Sequence, residues 1–189
     1  MTSVNDTYIR RATVADAAAI AELAERLFVN TFEPDNDPIN VAEHVRESFG
    51  EPIQREELAD PAVTYLLLQV GANLVAFAKM TRGSTNPSVV GEMPFEIDRF
   101  YVDHEFHGSG IATQLMHACI ASAREQGGQT LWLGVWELNP RAIRFYEKCG
   151  FVDVGGKAFM MGSDMQSDRV MMQSLSRDSA EPVAEPNSR

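Results

Sequence analysis

The sequence predicts a mixed α/β fold, and three observations support this prediction. Several short segments either alternate apolar with polar residues or run apolar without a break, as β-strands do. Longer segments between them place apolar residues three and four positions apart, which is the pattern of amphipathic helices. The chain has 189 residues, of which 44% are hydrophobic. It is therefore long and apolar enough for one domain with a buried core.

The N-terminal part is predicted to contain one strand, at 8–13, and three helices. Thr13 and Asp16 have the spacing of a capping box, so we expect the first helix to open there. Proline is tolerated in the first turn of a helix, where its missing N–H has no helical partner, and two further helix starts are marked in this way. The predicted helices are 14–32, one that follows Asp37-Pro38, and a short one from Glu51-Pro52.

The middle of the chain predicts a hairpin and then a strand, a helix and a strand. Gly71-Ala72 separates two strand-like segments, as expected of a hairpin, and a loop at 83–94 follows. The next two strands are separated by a helix, so they should be parallel neighbours. The second of them has almost no polar residue and should be covered on both faces. The predicted segments are strands 63–70 and 73–82, strand 95–102, helix 111–126 and strand 130–136.

The last part predicts a helix at 139–149, ended by Gly150, and two strands at 151–161 and 169–175. These strands should form an antiparallel pair joined by a loop at 162–168. We expect a single domain at 7–175, between an N-terminal tail at 1–6 and a C-terminal tail at 176–189. The C-terminal tail is polar and contains proline, so we expect it to be disordered.

The composition excludes several classes of protein. A formal net charge of −11 repels phosphates, so we expect neither nucleic acid nor a membrane as partner, whereas a cationic ligand is favoured. No stretch approaches the roughly 20 apolar residues of a membrane span, and the N-terminus does not look like a signal peptide. A cytoplasmic location follows. Cys119 and Cys149 have no CxxC partner, so we expect free thiols in a reducing compartment rather than nucleophiles.

The stretch VDHEFHGSGIATQLM, at 102–116, lies where a strand is expected to run into a helix. His107–Gly110 could be a tight turn alone, because glycine often serves turns. Glycines also let a ligand approach the backbone, and free N–H groups from Ser109 to Ala112 would suit a phosphate or pyrophosphate. The spacing fits neither G-x-G-x-x-G nor the nucleoside triphosphate loop. The two histidines of the stretch lack further ligands at a suitable spacing, so we expect no metal.

Two segments, FYVDHEFHGSGIATQLM at 100–116 and LWLGVWELNPRAIRFYEKCGF at 131–151, resemble the acetyl-CoA-binding core of the GNAT superfamily of N-acetyltransferases. The order of elements agrees as well. The resemblance implies a GNAT-like α/β (α+β) fold, with a mixed, mostly antiparallel, twisted sheet of about six or seven strands, a central parallel pair, and about four or five flanking helices. It also implies acetyl-CoA as the cosubstrate, in a reaction that needs no metal.

The resemblance further implies a set of cofactor-binding residues. The family's pyrophosphate loop maps to His107, Gly110 and Ala112, with His107 in place of glutamine or arginine. Backbone N–H groups do most of the cradling in such a loop, so this departure affects only a side-chain contact. Asn139 corresponds to a contact with the pantetheine arm and is also placed to cap a helix. The implied residues are Tyr101, Val102, His107, Gly108, Ser109, Gly110, Ile111, Ala112, Thr113, Asn139 and Tyr146.

Tyr146 and Glu96 are implied as catalytic residues. Tyr146 occupies the family's general-acid position, and a phenol of pKa about 10 can protonate, or hydrogen-bond to, a leaving thiolate of pKa about 8.5. Outside that context it would be a half-buried helix aromatic. Glu96 lies where several family members carry a general base, since an ammonium substrate must lose a proton before attack. It could equally be an exposed strand carboxylate, and Asp98 is the neighbouring candidate for the base.

The pattern WLGVWExNxxAIxFYxKxGFVxxGxxxFxMGxxxQxDxxM, with FxNTF at 28–32, resembles the bacterial Pai-type polyamine acetyltransferases. It implies direct acetyl transfer to a polyamine such as spermidine or spermine. The acidic residues Glu33, Asp35 and Asp37 either attract that polyamine or form a solvated, helix-capping cluster. The implied substrate-binding residues are Phe32, Glu33, Glu96 and Trp136.

Two other functions stay open. The acceptor could be a different amine, such as an amino acid, an antibiotic or a protein N-terminus. Alternatively, the chain could sense acetyl-CoA without turnover, as a regulatory module. The oligomeric state is open between monomer and homodimer.

Overall fold

The computed structural model describes residues 6–175, which form one seven-stranded sheet with helices on both of its faces. The strands are β1 (Thr7–Arg11), β2 (Val63–Val70), β3 (Asn73–Arg82), β4 (Pro94–Val102), β5 (Thr130–Trp136), β6 (Val152–Met161) and β7 (Asp164–Ser174). The helices are α1 (Ala17–Phe32), α2 (Pro38–Ser48), α3 (Glu51–Ala59), α4 (Ile111–Glu125) and α5 (Pro140–Lys148). The tail expected at 1–6, apart from Asp6, and the tail expected at 176–189 lie outside the described residues.

The strands follow the order β1-β2-β3-β4-β5-β7-β6. Every neighbouring pair is antiparallel except β4 and β5, which are parallel. The predicted hairpin of β2 and β3, the parallel central pair and the mostly antiparallel sheet are therefore confirmed. A parallel pair needs a crossover connection, and α4 supplies it.

The predicted loop at 162–168 is wrong, because β7 already begins at Asp164. The turn between the last two strands is short, with Gly162 at a φ of +58°. Met160 faces Met165 directly beyond it. The segment resembles a loop because its residues are polar. Strands near a sheet edge are held by backbone pairing with one side toward solvent, so they need no apolar run.

Helices cover both faces of the sheet, which explains the unbroken apolar runs in its central strands. One core lies between the sheet and helices α4 and α5, and the other lies beneath α1 and α2. β2 serves both cores, with Leu66 and Leu68 in the first and Tyr65 and Leu67 in the second. The first helix, predicted at 14–32, begins with a separate 3₁₀ turn, Val14–Asp16, before α1.

The described chain offers few groups for nucleophilic thiol chemistry or for metal binding. Cys119 is buried and Cys149 is partly buried, both are free thiols, and burial raises the pKa of each. A thiol with a raised pKa is a poor nucleophile, in line with the prediction. Within 6–175, no three His, Cys, Asp or Glu side chains form a group that could hold a metal ion. None of the helices that the structure describes is long and apolar enough to span a membrane.

Candidate active site

A cleft opens where β4 and β5 separate. The two strands pair only from Pro94 and Thr130 to Ile97 and Leu133. Directly after that pairing ends, β4 carries a bulge at Asp98, opposite β3. A bulge bends its strand, and here it turns β4 away from its parallel neighbour. The resulting cleft has a volume of about 680 Å³, in the range of small-molecule and cofactor sites.

At one end of the cleft, the start of α4 presents unpaired backbone N–H groups. Gly108 and Gly110 have φ angles of +81° and +90°, which L residues rarely adopt, and Gly110 is the N-cap residue of α4. No described group accepts a hydrogen bond from the N–H groups of these two glycines or from the first three residues of α4. Free N–H groups at a helix start attract anions. The turn and the phosphate cradle are therefore compatible interpretations.

Ser109 departs from the predicted cradle. Its N–H donates to the carbonyl of Phe106 at 3.2 Å, and its hydroxyl donates to the same oxygen at 2.5 Å. The N–H of Ser109 is therefore unavailable to a ligand, and the free groups are those of Gly108 and of residues from Gly110 onward. Ser109 instead fixes the conformation of the turn.

His107 ties the turn to the end of β4. Its Nε2 lies 3.0 Å from the carbonyl oxygen of Val102. Burial, with the nearby Arg141 charge, lowers the pKa of His107, so the imidazole is neutral at pH 7. The neutral ring then donates its Nε2–H to Val102. In the structure His107 holds the loop, and the free donors at the start of α4 are backbone N–H groups.

α5 contributes a basic face that the sequence analysis missed. Arg141, Arg144 and Lys148 all line the cleft. Their spacings of three and four residues place them on one side of the helix, and this periodicity was the available signal. These three residues form a local basic patch, although the net charge of the whole chain is −11. Arginine and lysine bind phosphate groups, so this face complements the anion cradle at α4.

Asn139 caps α5, as predicted. Its side-chain oxygen accepts a hydrogen bond from the N–H of Ala142 at 3.0 Å, and Pro140 fills the first position of the helix. Asn139 also lines the cleft. The cap fixes the direction of α5 and hence the positions of Arg141 and Tyr146 along it.

Tyr146 lies in the wall of the cleft and is only 8% exposed. Its ring packs against those of Phe100, Phe145 and Phe151. None of the residues 6–175 forms a hydrogen bond with its hydroxyl. Burial, assisted by the neighbouring Tyr101, raises the pKa of Tyr146, so the phenol stays protonated. The side chain is thus an uncommitted hydrogen-bond donor in an apolar surrounding.

A second region of the cleft, which we call its aromatic end, is lined by aromatic side chains. Phe32 at the end of α1 and Trp136 at the end of β5 contact each other edge to face, with 6.1 Å between ring centroids. Phe28, Tyr101 and Phe159 complete this wall. Aromatic faces can stabilise an ammonium group. The structure therefore brings together Phe32 and Trp136, two of the four residues expected to bind substrate.

The acidic residues after α1 do not gather in the cleft. Glu33 is exposed in a 3₁₀ turn, Glu33–Asp35, and does not line the cleft. Asp35 lines a smaller adjoining cavity of about 290 Å³. Asp37 accepts a hydrogen bond from the N–H of Ile39 at 2.8 Å and caps α2. The helix-capping interpretation therefore holds for Asp37.

Glu96 lies in the closed part of the sheet, opposite Trp132, and does not line the cleft. Its carboxylate accepts hydrogen bonds from Lys157 at 2.9 Å and from Ser84 at 2.6 Å. Asp98 does line the cleft. It accepts a hydrogen bond from Thr81 at 2.6 Å and lies 4.0 Å from the Lys79 ammonium group. Both carboxylates are thus engaged by other side chains.

The sequence matches the Acetyltransferase (GNAT) family over residues 17–151. The chain belongs to the GNAT acetyltransferase family. An uncharacterized N-acetyltransferase of Mycobacterium tuberculosis is 32% identical over 162 residues, which cover 86% of this chain and 99% of that protein. This GNAT relationship therefore extends over nearly the whole described chain.

Two further similarities are more limited. Spermine/spermidine N(1)-acetyltransferase of Bacillus subtilis is 29% identical over 80 residues, which are 42% of this chain and 49% of that protein. The crystal structure of PaiA N-acetyltransferase from Thermoplasma acidophilum, in complex with coenzyme A, matches with a TM-score of 0.70 at 18% identity. That match covers 89% of this chain and 98% of the PaiA chain, and it shows the GNAT fold alone.

A buried carboxylate in this GNAT cleft was not singled out from the sequence. Asp168 on β7 lines the aromatic end and is 9% exposed. Burial raises the pKa of Asp168 to about 6, although the positive charge of Lys157 acts to lower it. Gln166 and Phe159 line the same end from the β6–β7 hairpin. In the sequence, Asp168 falls in the predicted loop at 162–168, and only its place in the QxDxxM pattern distinguishes it from the other polar residues there.

Proposed function

We propose that this chain is an N-acetyltransferase that uses acetyl-CoA and transfers the acetyl group directly to a primary amine. The observation that carries the proposal is a cleft between β4 and β5 whose lining includes both the start of α4, with its free N–H groups, and an aromatic, acid-containing end. Tyr146 lies in the wall of that same cleft. Family membership and the fold of the structure support this function.

The residues present fit acetyl-CoA. The free N–H groups at the start of α4 suit a pyrophosphate, and the arginines of α5 suit further phosphate charge. Beyond Ile97, the edge of β4 has no pairing with β5, so its backbone can bond to the amides of an extended pantetheine arm. Bound acetyl-CoA supplies the thioester that the amine attacks.

Tyr146 would act on the leaving sulfur. Its raised pKa keeps the phenol protonated, and full proton transfer from such a phenol to a thiolate of pKa about 8.5 is uphill. A hydrogen bond from Tyr146 to the developing thiolate stabilises the transition state without that transfer. The apolar rings around it strengthen such a bond, because they exclude water.

For the acceptor we propose a small cationic amine, with spermidine or spermine first among the candidates. The resemblance to Pai-type enzymes supports a polyamine, and so does the partial similarity to the spermine/spermidine enzyme. An acidic chain and an aromatic cleft end favour an ammonium ligand in general.

Two measurements test the proposal. Calorimetric titration should show that both acetyl-CoA and coenzyme A bind. Thiol release from acetyl-CoA should then be followed with spermidine, spermine, an alkyl monoamine, an amino acid and a peptide with a free N-terminus. Spermidine acetylated on both primary amines is the matched control and should release no thiol.

The outcomes separate the alternatives. We expect the polyamines to give the highest kcat/KM of the panel. A higher kcat/KM for the amino acid or the peptide would overturn the polyamine assignment and keep the enzyme. Binding of acetyl-CoA without thiol release from any amine would overturn catalysis and favour a sensing module.

A further inference from the structure

The carboxylate of Asp168 occupies the acceptor end of the cleft. Asp168 lies on β7 directly opposite Trp136 of β5, and both residues line the cleft. Tyr146 lines the same cleft from α5, which packs on the face of the sheet that α4 also covers. An amine entering at the aromatic end would therefore have Asp168 on its own side and Tyr146 on the sulfur side.

Asp168 has no partner among the described residues. It is 9% exposed, yet no described residue donates a hydrogen bond to its carboxylate or forms an ion pair with it. Glu96 and Asp98, by contrast, each accept a hydrogen bond of 2.6 Å, and Glu96 also pairs with Lys157. Because Asp168 lines the cleft, its carboxylate oxygens face that space and are available to a cationic ligand that enters it.

Gly134 makes the space that Asp168 occupies. A Cβ atom at this position would lie 2.9 Å from Oδ2 of Asp168 and 2.4 Å from Cε of Lys157. Gly134 follows Leu133, the last residue of β5 that pairs with β4. The Asp168 carboxylate thus lies over β5 at the point where the cleft opens, and any larger residue at 134 would displace it.

The charged and titratable groups around Asp168 come from three directions. Lys157 on β6 favours the ionised form, while Glu137 after β5 opposes it. Tyr101 on β4 is close enough for the Asp168 charge to contribute to its raised pKa, although burial is the main cause. Burial dominates at Asp168 itself and raises its pKa to about 6. At pH 7 the carboxylate is ionised, and it can accept a proton near neutral pH.

We propose that Asp168 is the general base of the acetyl transfer and takes the proton that the substrate ammonium must lose. This inference rests on the proposed function. The N–H bond of the ammonium breaks and an O–H bond forms on Asp168, which frees the nitrogen lone pair. That lone pair forms the C–N bond, and the C–S bond breaks. The second nitrogen proton passes to the sulfur to give the thiol, and Asp168 returns its proton to water.

The test compares wild type with Asp168→Asn, which keeps the side-chain volume but cannot accept a proton. Thiol release with the best amine of the panel should be measured from pH 5 to 9. We expect the wild-type kcat to fall below about pH 6, and Asp168→Asn to lower kcat by about 100-fold or more and abolish that pH limb. Coenzyme A affinity, measured by calorimetry, should stay within about threefold, and Asp168→Glu should restore part of the activity.

Three further variants make the assignment specific. Asp153→Asn removes an exposed β6 carboxylate, paired with Arg169, and should leave the profile unchanged. The inference is overturned if Asp168→Asn keeps its kcat and its pH limb, including the case in which only KM rises. It is also overturned if Glu96→Gln or Asp98→Asn abolishes the limb and Asp168→Asn does not. A wild type that releases no thiol with any amine overturns the proposed function as well, so the two failures are distinguishable.

Discussion

The two ends of the cleft are built in different ways. The cradle end is contiguous in sequence and is made of backbone, from His107 to Thr113, with two glycines in left-handed conformations. The aromatic end, where we propose that the acceptor amine binds, is made of side chains that come from α1, β4, β5 and the β6–β7 hairpin. A backbone site depends on local conformation, whereas a side-chain site depends on how distant elements pack. Substitutions should therefore act in different ways at the two ends.

At Tyr146 we expect a large effect on chemistry that leaves cofactor binding intact. Tyr146→Phe removes one hydroxyl that makes no hydrogen bond within the described chain, so the fold should be unaffected. We expect kcat to fall by about 100-fold, because a hydrogen bond to the leaving sulfur is lost. Coenzyme A affinity should stay within about threefold in a calorimetric titration. Unchanged kcat would remove Tyr146 from the mechanism.

The next effect concerns stability at the acceptor end. The folded-state pKa of Asp168, about 6, lies above its ordinary value of 3.8, so folding favours the protonated form. The stability this group contributes is present below pH 3.8 and is lost as the pH rises through about 6. Asp168→Asn should therefore raise the free energy of unfolding at pH 7 by about 1 to 3 kcal/mol, although it lowers activity.

Urea denaturation at pH 7 and at pH 4 measures this difference. At pH 4 wild-type Asp168 is protonated in the folded protein, so the gain from Asp168→Asn should nearly vanish. Asp153→Asn removes one side of a surface ion pair with Arg169 and should change stability little at either pH. A variant less stable than wild type at pH 7 would contradict the prediction.

The cradle end offers a matched pair of glycines at the two ends of α4. Gly110 has φ +90° and Gly127 has φ +80°, and an added Cβ at either position would meet nothing within 4 Å. Alanine should strain the backbone by about 1–2 kcal/mol at each position. Only Gly110→Ala should weaken coenzyme A binding, by about 10-fold, because it distorts the free N–H groups. Equal losses of affinity would mean that the effect is one of stability alone.

The sequence was most informative where local chemistry determines structure. The glycine turn before α4, the Asn139 cap and the parallel pair followed from glycines, a capping residue and apolar runs within short segments. The carboxylate of Asp168 did not, because its burial depends on Gly134, two strand positions away on the neighbouring β5, and on the register of β7. The ion pair of Glu96 could not be predicted from the sequence for the same reason, since its partner Lys157 lies 61 residues further along the chain.

The smallest effect is expected at His107, where the family's glutamine or arginine is replaced. His107→Gln keeps an N–H donor that can reach the Val102 carbonyl, now 3.0 Å from the imidazole, so acetyl-CoA affinity should stay within about threefold. Because burial lowers the pKa of His107, wild-type affinity should not change between pH 7 and 8.5 on its account. His107→Ala removes the tie and should cost about 0.5–1.5 kcal/mol of stability. If His107→Gln lost as much affinity as Gly110→Ala, the His107 side chain, rather than the backbone N–H groups, would account for cofactor binding at this loop.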